Sequence, residues 1–460
     1  MLPEKDSGSS MQDLHFCGFN MRHRVWSGHK AQCELKHKKD MKHSLISVFL
    51  VAASLSAVAC DQSLVVDFPG KGKDDNPYKG LELTSKSEAF VEQGNSFTFN
   101  FISRIDASAG EDYVVSPLSL QFLLGMILDG ARGETADEIC STLGYGAGEV
   151  SAVDEYCRSM LSQLPKLDKM TTLSIADAIV VNDRFPLLDS YKERVAGFYN
   201  AEVSNKDFFD SERTLSEING WCARQTAGLI PKILEKVTPD MLCYLMNAVY
   251  FKSNWADKFD KSATVEKPFT KAGGKKVDIS MMQQTAGFDY YEDDLFQAVR
   301  LPYGNGSFAM TVLLPKEGHD VAAIAEALRT GDSWKQIGMS MRDCDVDLWL
   351  PRFETSFKVK LNDILTGMGM GSSFDPLKAD FKNMSEYALC LSFVQQNAVI
   401  KVNEEGSEAA AISSAGMLVT TALPGARPKV VFHADHPFLY LISETGTGAV
   451  LFAGRYGAES

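Results

Sequence analysis

Two histidines three residues apart, His433 and His436 in FHADHPF, are the pair whose type and spacing could hold a metal ion. No set of carboxylate or cysteine ligands accompanies them, so a structural role is the better reading and no metal is expected. Hydrolytic and phosphate chemistry is equally unsupported: there is no HExxH, no GxSxG elbow and no P-loop. The glycines of Gly144-Tyr145-Gly146-Ala147-Gly148 follow no strand in the order a nucleotide loop requires, and read as a helix terminator. Beyond the leader, Cys140, Cys157, Cys222, Cys243, Cys344 and Cys390 form no close CxxC pair, which argues against a zinc knuckle or redox motif. Six thiols in a domain this long make no disulfide scaffold, and most should be buried. No enzyme and no cofactor is indicated.

The stretch that stands out is instead Val399 to Thr421, VIKVNEEGSEAAAISSAGMLVTT. It starts as a strand with Val399, Ile400 and Val402, then breaks at Glu404-Glu405-Gly406. Strand residues alternate faces. Ser407, Ala409, Ala411, Ser413, Ala415 and Met417 therefore share one side, small and uncharged, while Glu408 points to the other with Ala410 and Ile412. Composition alone permits a flexible Ala/Ser surface loop. The alternation also permits a strand that could enter the middle of a sheet without burying a charge.

Stepping outward, the 460 residues have the composition of a globular protein, 45% hydrophobic and 23% charged. A net charge of −14 argues against nucleic acid as a partner. Residues 41–60, MKHSLISVFLVAASLSAVAC, combine a basic start, an apolar core and small residues before Cys60, the pattern of an export signal. The apolar run is short for a transmembrane anchor. The sequence resembles a bacterial lipoprotein signal, which would make Cys60 the lipid attachment site; an ordinary secretory signal with an incidental cysteine stays open. Residues 1–40 precede a second possible start at Met41 and read as an upstream extension. Residues 61–86, with Pro69, Gly70, Gly72, Pro77 and Gly80, read as a flexible tether. No repeat or second linker follows, so 87–460 is expected to be one domain.

Along that domain, Ser87–Ile105 has helical spacing, with Phe90, Phe97, Phe101 and Ile105. Ser116-Pro117 supplies a hydroxyl cap and a proline for a helix start, and Leu118–Leu128 is apolar enough to be buried. Strands are expected at Thr172–Val181, near Ala201–Phe208 and at Leu242–Trp255, with a helix around Tyr191–Tyr199; INGWCARQTAGLI, Ile218–Ile230, resembles a known family element, a helix ending at Gly228.

In this order the segments resemble the serpin family. The carriers are NEEGSEAAA (a serpin hinge), SPLSLQFLLGMILDGARGET, LCYLMNAVYFKSNW, LPYGNGSFAMTVLLP, DVDLWLPRF, FDPLKADFKNMSE and the closing segment FHADHPFLYLISETGTGAVLFAGRY. The resemblance covers Ser87 to Tyr456. It implies an α+β fold with a large central β-sheet, additional sheets, a helical cover and an exposed reactive loop. It also implies suicide-type inhibition: a target protease attacks the loop, forms its acyl-enzyme, and is dragged as the loop inserts as a new strand.

On that basis Glu404, Glu405, Gly406, Ser407, Glu408, Ala409, Ala410 and Ala411 are the hinge. Ser116, Ser119, Asn247 and Gln396 would form a polar latch at the sheet centre, and Trp255 would sit at the sheet top. Gln396 departs from the histidine common in the family, although an amide could still bond Asn247. Counting from Gly406 places the reactive bond between Thr420 and Thr421, with the bonds after Met417, Leu418 and Val419 as alternatives. Apolar or small residues there point to elastase-like or subtilisin-like endopeptidases, with papain-like enzymes also open. The expected protein is an exported monomer, lipid-anchored in a bacterial envelope, facing the periplasm or the outside. A non-inhibitory serpin-fold binding protein is the alternative.

Overall fold

The computed structural model describes residues 75–392, 394–407 and 427–459, within a compact unit spanning Lys73–Ser460. The architecture is α+β. Near the chain start lie α1 (Ser85–Ser108), α2 (Pro117–Gly130), α3 (Gly133–Leu143), α4 (Val150–Gln163), α5 (Asp189–Tyr199) and α6 (Ser211–Gln225). Four shorter helices follow: α7 (Val321–Ala327), α8 (Asp332–Ser340), α9 (Asn362–Met368) and α10 (Gly371–Phe374).

Among the described residues the strands form two sheets. The larger runs β1 (Tyr113–Val115), β15 (Val450–Tyr456), β14 (Phe438–Glu444), β8 (Phe308–Pro315), β7 (Phe296–Tyr303), β6 (Lys276–Glu292), β9 (Arg342–Pro351) and β13 (Lys429–His433), with β5 (Val265–Thr270) paired to β6. The smaller runs β10 (Phe353–Lys360), β11 (Gln395–Asn403), β12 (Gly406–Ser407), β4 (Cys243–Asn254), β2 (Thr172–Asn182) and β3 (Glu202–Lys206). A lone bridge between Trp255 and Tyr303 joins the top of the smaller sheet to the larger.

Every residue of α2 is buried, as its apolar run requires, and that includes Asp129. The helix leans on β15 and β4 and serves as the spine of the core. On the other face of the smaller sheet, Ile218, Trp221 and Cys222 of α6 pack over Ala178, Val180, Tyr244 and Met246. Gly144 ends α3 in the left-handed conformation at φ +80°, the terminator role its glycine-rich context suggests.

Four expectations need correction. The tether does not extend to residue 86: Asn76 Nδ2 donates to Asp168 Oδ1 at 2.7 Å, Asn305 Nδ2 to the Pro77 carbonyl at 2.9 Å, and Ser307 Oγ to the Lys79 carbonyl at 2.7 Å. Leu81 and Leu83 pack on the core, so burial overrides the Pro/Gly-rich composition. The helix expected to end at Gly228 ends at Gln225, because Ala227 and Gly228 take positive φ of 50° and 85°. The strand at Ala201–Phe208 shrinks to Glu202–Lys206, where pairing with β2 runs out. Ser116 precedes α2, but its hydroxyl does not cap it; Oγ donates to the Leu451 carbonyl at 2.7 Å.

Candidate hinge and sheet-opening site

The site is built on the turn between β11 and β12. β11 alternates faces, burying Gln396, Ala398, Ile400 and Val402. Glu404 and Glu405 turn the chain, and Gly406-Ser407 runs back antiparallel to Asn403 and Val402. On its other side the same dipeptide pairs with Asn254 and Ser253 of β4. Two residues thus begin a strand between β11 and β4. Only glycine fits at its first position: φ is +153°, and a Cβ on Gly406 would lie 2.0 Å from the Ser253 carbonyl oxygen.

Polar contacts hold this start. Ser407 is buried, with Oγ 2.5 Å from Tyr303 Oη. Trp255 stacks on Tyr303 with centroids 4.4 Å apart, and its Nε1 donates to the Asn403 carbonyl at 2.8 Å. The Trp255 backbone N–H donates to the Glu405 carbonyl at 2.8 Å. Behind Ser253, its Oγ lies 2.7 Å from Thr171 Oγ1, which donates to Asp168 Oδ2 at 2.6 Å.

The two turn acids are both neutralised. Glu404, 2% exposed, takes an ion pair from Arg352 and a 2.7 Å hydrogen bond from Thr264 Oγ1. Burial alone would raise its carboxyl, but those two donors outweigh it and hold it below the usual range. Glu405 pairs with Lys258 at 2.6 Å and Lys261 at 2.8 Å, and their hydrogen bonds lower its carboxyl as well.

Deeper in the sheet, the expected latch divides into two. Gln396 Nε2 donates to the Ser116 carbonyl and Oε1 accepts from the Ser116 N–H, both at 2.9 Å, which ties β11 to the start of α2. Asn247 does not reach Gln396; its Nδ2 donates to Asp177 Oδ1 of β2 at 2.8 Å. Ser119 is fully buried and its hydroxyl has no hydrogen-bond partner. Asn247 therefore bonds within the β4–β2 half of the sheet, whereas Gln396 bonds the start of α2. Among the described residues no ladder joins β4 directly to β11; they share β12. Cα atoms of β4 and β11 nonetheless approach within 8 Å, less than the ~9.6 Å that two strand spacings would need.

Elsewhere the candidate histidines face separate partners. The His433 ring stacks on Trp349 at 3.6 Å, while His436 bonds Asp435 and the Pro315 carbonyl. Among the described residues no three His, Cys, Asp or Glu side chains are grouped to hold a metal. Glu408, Ala409, Ala410, Ala411, Thr420, Thr421 and Cys60 lie outside the described residues.

A family model described as serpin (serine protease inhibitor) matches residues 92–457. The chain belongs to the serpin family. It is 32% identical over 379 residues to Serpin B6 of Macaca fascicularis, covering 81% of this chain and 100% of that one. It is 32% identical to the leukocyte elastase inhibitor of Xenopus laevis over 373 residues, covering 79% and 97%. Among solved structures it is similar to the thermophilic serpin Tengpin in its native state, with TM-score 0.73, 26% identity, and coverage of 83% and 96%. Protease inhibition is thus the general activity that the family description and the elastase inhibitor's name carry.

Several residues of this serpin's hinge escaped sequence reasoning. Arg352, Lys258, Lys261, Thr264 and Tyr303 are ordinary surface or strand residues by pattern, and only the fold brings them to the turn. Asp177 did leave a signal, a single acid inside the apolar run TLSIADAIVVN. Burial pushes its carboxyl up to about 7, against the lowering effect of the Asn247 hydrogen bond.

Proposed function

We propose that this serpin is a covalent, loop-insertion inhibitor of serine endopeptidases, extending to papain-like cysteine endopeptidases, at a bacterial envelope, facing the periplasm or the outside. The observation that carries this reading is the Gly406-Ser407 dipeptide, already paired on both sides as the first rung of a strand between β4 and β11. A protease whose nucleophile attacks the Thr420-Thr421 bond becomes acylated through the Thr420 carbonyl, frees Thr421 as a new N-terminus and so releases the segment after Ser407. Pairing could then propagate down the seam, adding backbone hydrogen bonds and burying the small face. The two acids stay at the turn, so the inward positions Ser407, Ala409 and Ala411 meet no charge of their own. Relatives that include a leukocyte elastase inhibitor support elastase-like targets, with subtilisin-like enzymes next.

The leader ending at Cys60 supports export and lipid attachment. Incorporation of labelled fatty acid that is lost in Cys60→Ser would test the anchor. The inhibitory reading is tested by mixing the protein with an elastase-like protease and running denaturing gels. A band at the summed mass with a new N-terminus near Thr421 supports it. Cleavage without a stable complex across elastase-like, subtilisin-like and papain-like enzymes would favour a binding protein instead.

A further inference from the structure

Away from the hinge, buried charge gathers where α2, α4 and α5 meet. The side chains of Asp129 on α2 and Asp154 on α4 have no solvent exposure. One guanidinium, Arg194 of α5, serves both: Nε donates to Asp129 Oδ1 at 2.6 Å and Nη2 to Asp154 Oδ2. Tyr199 Oη donates to Asp154 Oδ1 at 3.0 Å, and the Asp129 carboxyl faces Asp154, to which it can donate when protonated. Two ionised carboxylates against one cation would leave an uncompensated buried charge. The cluster is balanced when Asp129 keeps its proton. Burial first, and then the facing Asp154, hold the Asp129 carboxyl well above its usual range; burial also raises Asp154.

Other titratable groups face this cluster from each neighbouring element. Cys157 on α4 has its thiol raised well above the ordinary value by burial, and Asp177 on β2 acts on it too. Tyr191 and Tyr199 face it from α5, both raised by burial. Arg158 of α4 shares the Phe198 ring with Arg194.

The cluster straddles a seam that strand insertion must shear. α5 connects β2 to β3, so it travels with the β4–β2–β3 half. The start of α2 is fastened to β11 and β15 through Ser116. A strand entering between β4 and β11 separates the halves by about 4.8 Å, so α5 must slip along α2. Three contacts resist: Arg194 to Asp129, Tyr191 Oη donating to the Met126 carbonyl at 3.0 Å, and Tyr199 seated against Gly125, where a Cβ would lie 2.6 Å from its hydroxyl.

We propose that this cluster is a pH-sensitive lock on sheet opening: with Asp129 protonated α5 stays seated on α2, and loss of that proton lets α5 slip. The proposal rests on the loop-insertion reading above. The sign follows from linkage, since the closed state binds this proton more tightly than an opened, wetter state would. Raising the pH therefore penalises the closed state and speeds insertion.

The test follows uptake of a synthetic peptide of the sequence of residues 407–419 by the full chain, from about pH 6 to about pH 8.5, where so raised a carboxyl would titrate. Uptake should quicken at least about threefold across that window. Asp129→Asn, which mimics the neutral acid, should stay at the slow rate throughout. Asp154→Asn, which removes the facing charge, should also flatten the profile and guards against a misfolded first variant. A flat wild-type profile, or an unchanged slope in both folded variants, overturns the lock. A slope abolished only by Asp177→Asn overturns it too, moving the sensor to β2. No uptake at any pH, with no gain in thermal stability after loop cleavage, would instead sink the insertion reading on which the lock depends.

Discussion

Tyr303 binds both sides of the hinge: its ring stacks on Trp255 within 10° of parallel, and its hydroxyl sits 2.5 Å from Ser407 Oγ. The larger sheet thereby holds the first inserted residue of the smaller one. Ser407 is 1% exposed, so a bulky cation there has no room and no partner. Ser407→Arg should leave the loop cleavable but remove trapping, because burying an unpaired guanidinium costs several kcal/mol. Counting protein consumed per protease inactivated measures this, and an unchanged ratio would contradict the assigned hinge.

Glu404 draws on Arg352 for its charge balance. Arg352→Met should destabilise the native fold by about 2 kcal/mol, less than a fully buried pair because Arg352 is half exposed. The Glu404 carboxyl is held below its unfolded value, so its stabilising contribution is present above pH about 4.3 and fades as pH falls further. Denaturant titrations at neutral and acid pH should show the variant losing less stability on acidification than the parent.

Asp177 behaves oppositely. Its folded value is raised to about 7, so folding favours the protonated acid. Stability is highest below the unfolded carboxyl value and declines as pH rises towards 7, then levels. Asp177→Asn keeps an oxygen for Asn247 Nδ2 and removes that penalty. It should raise the melting temperature at pH about 8 and change it little at pH about 4. Equal effects at both would show that the carboxyl is not held neutral.

The segment ahead of α1 is strapped to the hinge side of the molecule through Asn76, Asp168, Thr171 and Ser253, the last of which pairs with Ser407. Asn76→Ala removes at least the bond to Asp168 and that from the Lys169 N–H to Asn76 Oδ1 at 3.0 Å. A loss of about 1 kcal/mol is expected. Hydrogen exchange should quicken at the amides of 168–173 and 253, and protection left intact there would show the strap to be passive.

Much of the hinge was legible because its constraints are local. Glu404-Glu405-Gly406 marks the break after the strand, and the alternation behind it keeps charge off one face. The buried helix α2 was legible from its unbroken apolar run. The latch was legible only in part: Ser116 and Gln396 meet, through the Ser116 backbone, but Asn247, expected to bond Gln396, bonds Asp177 instead. An amide's two donors and its acceptor can be satisfied by many neighbours, and sequence spacing does not choose among them.

By itself the sequence determined the family, the α+β class, the glycine turn and the small-faced segment behind it, since periodicity, backbone permissiveness and motif order are written along the chain. Only the tertiary structure decided which cations neutralise Glu404 and Glu405, that residues from Asn76 onward are docked, and that Asp129, Asp154 and Arg194 share one buried site. Those pairings join residues 40 to 147 positions apart. Electrostatics and desolvation depend on distance and burial in space, which the chain acquires only when its elements have packed.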